Sequence, residues 1–384
     1  MTNKLILASA GAGKTEHLVR ESIEKMAQGQ KVLVVTYTRN NQKEILDRFH
    51  RLSGFNSKQF VVKGLYTFLL EDIVRPYQRC IFGDRIKNIV FNSHGDPHKK
   101  NGRTLRGTGE KTEQGEYNPR HFLSTCRTKA HTTYIAQLAC RVINESGQKP
   151  IARLEKIYSH IYFDEVQDLI GWDYEVLKHL ARSIDLDITC VGDFRQTIYE
   201  TAITQKQPKT ISQKLARFNQ LNFEIESMSV NRRSIQCICD FADAIHADAN
   251  YEPTISLAGS VPEHYREHVG IFIVKRSDVP VYIEKFTPVL LRHSVRSGSE
   301  YNEIAKEKMN FGQSKGQGFP RVLILPTPRY KSYLAGDQSI FSNMRTDDAK
   351  NKLYVAVTRA KYSIGFIVED NEVAQFDIPQ WLDT

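Results

Sequence analysis

"LILASAGAGKTEHLV" runs from Leu5 to Val19. Leu5–Ala8 is a short apolar run of the kind that forms a buried strand. A glycine-rich turn follows, and then a helical pattern. The form is A-x-x-x-x-G-K-T, from Ala8 to Thr15. Gly11 and Gly13 let backbone N–H groups converge on phosphate oxygens, and a helix start adds partial positive charge for an anion. Lys14 can reach the β- and γ-phosphates of a nucleoside triphosphate, and the Thr15 hydroxyl can ligate Mg²⁺. A glycine-rich turn with a solvated lysine is the plainer alternative; the strand–loop–helix context speaks against it.

A second stretch, "HIYFDEVQDLIGW" (His160 to Trp172), ends an apolar strand on crowded carboxylates. Adjacent buried carboxylates repel, and burying either is costly. A P-loop fold needs a carboxylate at a strand end for its metal, and Asp164 stands there. Glu165 can then orient and deprotonate an attacking water. "CVGDFRQTIYE" (Cys190 to Glu200) repeats the design, with Gln196 at a strand end where α/β sheets bind ligands. Farther on, "SVNRRSIQCICDFADAI" offers Arg232 and Arg233, and "YVAVTRAKYSIGFIV" offers Arg359. Such arginines can neutralise charge on a transferring phosphoryl group, although either one alone is more often a surface cation.

The chain has 384 residues, 40% hydrophobic and 25% charged, ordinary for a soluble globular protein of two or three domains. Its net charge of +9 suits a polyanionic partner. No apolar run reaches the roughly 18 residues of a membrane span, so no membrane association is expected. Met1 to Lys4 lead straight into a strand-like run, which gives the expectation of a cytoplasmic protein without a signal peptide. The six cysteines show no CxxC spacing and read as free thiols. Apolar runs at Leu5–Ala8, Val32–Val35, Phe60–Val62, Ile161–Phe163 and Ile188–Val191 form one set. Val289–Leu291, Val322–Leu325 and Ile364–Val368 form another. Alternation with helical patterns predicts two parallel α/β cores. Asn92 to Phe122 is polar, glycine-rich and mostly basic, and reads as a long loop or a locally disordered stretch inside an insertion of residues 69–152.

The ordered set of motifs resembles the UvrD/Rep/PcrA-like superfamily 1A helicases, DNA motors with two RecA-like cores. "ASAGAGKT" resembles motif I, "TYTRNNQKEI" (Thr36 to Ile45) Ia, and "KGLYTFL" (Lys63 to Leu69) Ib. "YFDEVQD" is similar to motif II, "VGDFRQTIY" to III, and "NRRS" to IV. "TPVLLRHS" (Thr287 to Ser294) is similar to IVa, "NFGQSKGQGFPRVLIL" (Asn310 to Leu325) to V, and "LYVAVTRAK" (Leu353 to Lys361) to VI. The resemblance implies RecA-like domain 1A in residues 1–68 and 153–218, a 1B insertion at 69–152 with a basic loop at 92–122, and domain 2A at 219–384. It implies ATP and Mg²⁺ held by Ala10, Gly11, Ala12, Gly13, Lys14 and Thr15, with Glu16, Arg232 and Gly316 beside the nucleotide and Asp164 on the metal. Lys14, Glu165 and Gln196 would act in catalysis, and Arg233 and Arg359 would be arginine fingers. Thr36, Thr38, Arg39, Tyr66 and Tyr199 would line a single-strand path.

The departures from the family pattern are as informative. Glu16 stands where relatives often have an adenine-stacking arginine, and Arg232 replaces a stacking tyrosine. The P-loop begins by residue 8, leaving no upstream segment to read adenine. Loosened nucleotide selectivity is expected. Thr201 stands in place of a base-stacking tryptophan, Gly312 replaces a histidine, and Gly318 replaces a ribose-contacting glutamate. Motifs IV and V are too close for a 2B domain, so translocation is expected more firmly than processive unwinding. The expected activity is a nucleic-acid-stimulated ATPase moving 3′ to 5′ on single-stranded or tailed DNA. The alternative is an ATPase switch gating a partner such as an OLD-type nuclease, by similarity to helicase-like subunits of Gabija-type anti-phage defence.

Overall fold

The apolar runs become parallel strands whose carboxyl ends carry the motifs. The computed structural model describes residues 3–55, 57–92, 95–198, 206–247, 251–342 and 347–383. In the first sheet, β1 (Lys4–Ala8), β2 (Val32–Thr36), β3 (Phe60–Gly64), β4 (His160–Asp164), β5 (Asp187–Gly192) and β6 (Glu224–Met228) stand in the order β6-β1-β5-β4-β2-β3. The pairs β1·β5, β5·β4, β4·β2 and β2·β3 are all parallel. β2 and β4 are buried along their whole length, because helices cover both faces of a parallel sheet. One face packs on helix Lys14–Ala27, which turns Leu18, Val19 and Met26 inward at helical spacing against Val32, Val34, Ile45 and Phe49.

The second sheet holds β7 (Gly270–Lys275), β8 (Val289–Arg292), β9 (Lys308–Asn310), β10 (Phe319–Ile324) and β11 (Ala360–Val368) in the order β7-β11-β10-β8-β9, again parallel throughout. Its core gathers Ile273, Leu291, Val322, Ile324, Ile364 and Phe366. The two parallel α/β sheets agree with the expected fold class.

The chain divides into two compact units. One comprises Met1–Leu7, Lys14–Phe194 and Tyr199–Glu226. The other comprises Ala8–Gly13, Arg195–Ile198 and Ser227–Thr384. β6 joins the first sheet although it lies beyond residue 218.

The polar stretch read as a structureless loop is organised among its described residues. It holds the short strands Lys99–Lys100 and Arg103–Thr104 and the helical turn Pro119–Phe122. Polar bonds fasten it alongside the buried Phe122 ring. The Asn118 amide donates to the carbonyls of Gly107 at 3.0 Å and Gly109 at 2.8 Å. His121 bridges the Thr108 carbonyl and the Gln137 side chain. The His98 ring donates to the His121 carbonyl at 2.8 Å and stacks on Tyr134. Among the described residues no helix is long and apolar enough to cross a membrane.

Candidate nucleotide site

The P-loop turns through two left-handed glycines, Gly11 at φ 75° and Gly13 at φ 81°. Gly13 has open space where a Cβ would be, so its need for glycine is conformational. Gly11 is constrained sterically as well: a Cβ there would lie 2.8 Å from Asn231 Oδ1 and 2.9 Å from Arg233 Cβ, both in the same compact unit. The Asn231 amide donates to the Ala10 carbonyl at 2.7 Å, and the Arg232 N–H donates to the Gly11 carbonyl at 3.0 Å. Ala10 and Ala12 are buried. Lys14 and Thr15 begin the helix that follows, half-buried.

Asp164 ends β4. Register pairs Val35 with Phe163, so Thr36 falls beside Asp164 and its hydroxyl donates to Oδ2 at 3.4 Å. The other oxygen, Oδ1, is buried with no hydrogen-bond partner among the described residues. Burial pushes the Asp164 carboxyl well above its usual range, the neighbouring Glu165 charge adds to the shift, and Lys14 opposes it. A buried carboxylate with one orphaned oxygen is short of a cation. That carboxylate would suit a divalent cation. Among the described residues no cluster of three or more His, Cys, Asp or Glu forms a separate metal site.

Glu165 adopts a left-handed conformation, φ 55° and ψ 42°. That costs a non-glycine residue about 1–2 kcal/mol and persists where surroundings enforce it. The Gln167 amide donates to the Glu165 carboxylate. Lys214, 0% exposed, donates from Nζ to the Gln167 carbonyl at 2.5 Å and fastens the turn. Neither Gln167 nor Lys214 was assigned a role from the sequence. A lysine in a helix gives no sign that its ammonium will be buried on a carbonyl 47 residues away.

In the second unit, Gln196 Oε1 accepts from Arg359 Nη2 at 3.3 Å. Arg359 is 1% exposed, and all five of its N–H donors are engaged. The remaining acceptors are the carbonyls of Val355, Ser314 and Gln317 and the Thr358 hydroxyl. Arg233 donates to the Thr358 carbonyl at 3.2 Å and lies against Gly318, where a Cβ would sit 3.1 Å from its Nε. A glutamate at 318 would crowd that guanidinium. Gly316, at φ 84°, has open space around it.

Other expected contacts are placed differently. Thr36 is buried at 1% exposure on Asp164, so it presents no surface to a nucleic-acid strand. Thr38 caps helix Arg39–Ser53, its hydroxyl accepting from the Asn41 N–H, and Arg39 is exposed. Glu16 pairs with Arg20 at 2.7 Å and Arg48 at 3.5 Å, and the Arg20 bond holds its carboxyl below the usual range. Arg232 is exposed and lines a cavity of about 320 Å³ with Lys361 and Tyr362. Tyr66 meets Tyr37 edge-on at 5.7 Å and Phe91 at 5.8 Å, and Phe91 is 63% exposed. Phe91, at the rim of the polar stretch, was missed in the sequence. Its ring is exposed beside Tyr66. Tyr199 and Thr201 lie outside the described residues.

Fold and site together define a P-loop protein built on parallel α/β sheets, with a metal-seeking carboxylate at a strand end beside the loop's helix. Residues 1–74 and 125–218 match the UvrD/REP helicase N-terminal domain, so this part of the chain is similar to that domain. Among solved structures the chain is similar to that described as "Complex structure of Arterivirus nonstructural protein 10 (helicase) with DNA", at 13% identity and a TM-score of 0.42. The match covers 97% of this chain and 62% of that one, so the chain spans less than two thirds of that structure's length. No curated protein matches the chain in sequence.

Proposed function

We propose that the protein is a nucleic-acid-stimulated ATPase that translocates on single-stranded DNA in the 3′ to 5′ direction. The observation that carries this reading is the buried Asp164 carboxylate, one oxygen on Thr36 and the other without a partner among the described residues, in a stretch similar to the UvrD/REP helicase N-terminal domain. Bound Mg²⁺ would neutralise phosphate charge there, with Thr15 and Asp164 as its protein ligands. The P-loop N–H groups and Lys14 hold the phosphates. Glu165, fixed by the Gln167 amide, accepts the proton of the attacking water. Gln196, in the motif beyond β5, accepts a hydrogen bond from Arg359 of the same unit. Arg233 and Arg359 would act as the arginine fingers that the motif resemblance implies. Tyr66 and Phe91 offer ring faces to successive bases, a contact that tolerates any sequence.

Displacement of streptavidin from end-biotinylated oligonucleotides tests the direction. Release from the 5′ end but not the 3′ end, with ATP, is expected. Release from the 3′ end alone reverses the polarity. ATP turnover indifferent to DNA favours a switch that acts on a partner protein.

A further inference from the structure

The polar segment before β4 lines an open cavity of about 550 Å³, within the ~300–1,000 Å³ range of ligand pockets. Arg120 and Arg127 line it with the hydroxyl-bearing Ser124 and Thr125, and Pro97 and Pro119 form flat apolar walls. No carboxylate lines it. The Arg120 side chain has no hydrogen-bond or ion-pair partner among the described residues. Arg127 has only Asp84, 3.7 Å away in a pair whose side chains are 60% and 54% exposed, which is a weak contact. The nearby Asp96 carboxylate is already engaged by the Tyr134 hydroxyl at 2.8 Å and the His98 N–H at 2.9 Å. Burial holds the His98 and His131 rings below their usual pKa, so the positive charge of the cavity comes from its arginines.

The walls are built in advance. The Asn118 and His121 bonds fix the turns on one side, and the Ser124 N–H donates to the Lys129 carbonyl at 2.9 Å on the other. Two guanidinium groups and two hydroxyls lining one cavity match a phosphate, which guanidinium groups can grip with paired N–H donors. The proline walls match a flat ring.

We propose that this cavity binds a phosphorylated nucleoside, with phosphate on Arg120 and Arg127 and the base between the proline walls. The ligand has two sources, the terminal nucleotide of a strand or a free nucleotide. The first rests on the DNA-motor reading, and the second does not.

The test measures binding by the full chain in a Lys14→Ala background, which removes the P-loop as a competing phosphate site. The probes are a 5′-phosphorylated 12-mer, its 5′-hydroxyl twin, deoxyadenosine 5′-monophosphate and a circular single strand. A phosphorylated end bound about tenfold tighter than the hydroxyl end, with the difference abolished in Arg120→Gln/Arg127→Gln, assigns the pocket to strand ends. Monophosphate binding abolished by the same variant, with the two 12-mers equal, assigns it to free nucleotides. Equal binding of the 12-mers together with monophosphate binding that is absent or unchanged in the variant overturns the proposal. Both arginines are exposed, so the variant is expected to fold, and unchanged circular dichroism checks this. Failure of circular DNA to stimulate turnover by the otherwise native chain counts against the motor and leaves the pocket standing.

Discussion

Arg195→Ala removes a buried cation that ties three parts of the second unit together. Arg195 is 1% exposed. Its guanidinium bonds Asp243 at 2.8 Å and Ser9 Oγ at 3.0 Å, and it lies over the rings of Tyr251 at 4.0 Å and Tyr354 at 4.7 Å. A charge-assisted bond contributes about 1.5–3 kcal/mol. Each ring face adds roughly 1 kcal/mol when desolvated. Breaking a buried pair ordinarily costs about 3–5 kcal/mol because the abandoned charge has no partner. Here Asp243 keeps two donors, the Thr254 N–H at 2.6 Å and the Thr254 hydroxyl at 2.9 Å, which moderates the loss. The expected destabilisation is therefore about 3–4 kcal/mol. Lysine, a point charge without the planar fork, should recover about half. Trp381 is buried in this unit and Trp172 belongs to the other, so urea unfolding followed by fluorescence in a Trp172→Phe background reads the right transition. At a slope of about 2 kcal/mol/M the midpoint should fall by roughly 1.5–2 M. A loss below about 1 kcal/mol refutes the network as a stabilising element.

Gly318→Glu should push Arg233 off the Thr358 carbonyl and lower kcat about tenfold or more with little change in KM, measured by steady-state ATP turnover. Phe91→Ala should weaken single-strand binding by about 1–3 kcal/mol in an anisotropy titration, whereas Tyr66→Phe, which keeps the ring and removes the hydroxyl bonded to Tyr37, should cost far less. Burial lowers the His160 ring from 6.5 to about 3, with Lys25 and Lys4 adding to the shift. The unfolded chain therefore binds a proton that the folded one refuses. Stability is full above about pH 6.5 and falls as the pH drops toward 3. The Asp187 carboxylate, 3.9 Å from the ring, offsets part of this, so about 2 kcal/mol should be lost by pH ~4.5. His160→Asn should lose correspondingly less, as judged by urea midpoints from pH 7 to pH 4.5.

The strands that carry the motifs were legible because burial on both faces writes apolar runs such as Val32–Val35 and Ile161–Phe163. β6 was not, because Glu224–Met228 is held by strand pairing while most of its side chains face water. β7 carried the same apolar signal as its neighbours in Ile271 to Val274 and was passed over. The stretch from Asn92 to Phe122 looked structureless since hydropathy cannot register an Asn118 amide or a His121 ring satisfying distant carbonyls. Asp164 and Glu165 stood out through the cost of placing two carboxylates together. Arg195 and Lys214 gave no signal, because only the folded chain shows which cations are enclosed by partners. Thr36 was read from its motif, and register moved it from the strand path to the carboxylate.

The central claim is that the P-loop, Asp164 and Glu165 form a hydrolytic site coupled to nucleic acid. Steady-state ATP turnover with and without single-stranded DNA, for the native chain and Glu165→Gln, tests it most directly. The account predicts strong stimulation by DNA and a loss of about 10²–10⁴-fold in the variant, with ATP binding retained. Turnover that ignores DNA, or that survives in Glu165→Gln, contradicts it.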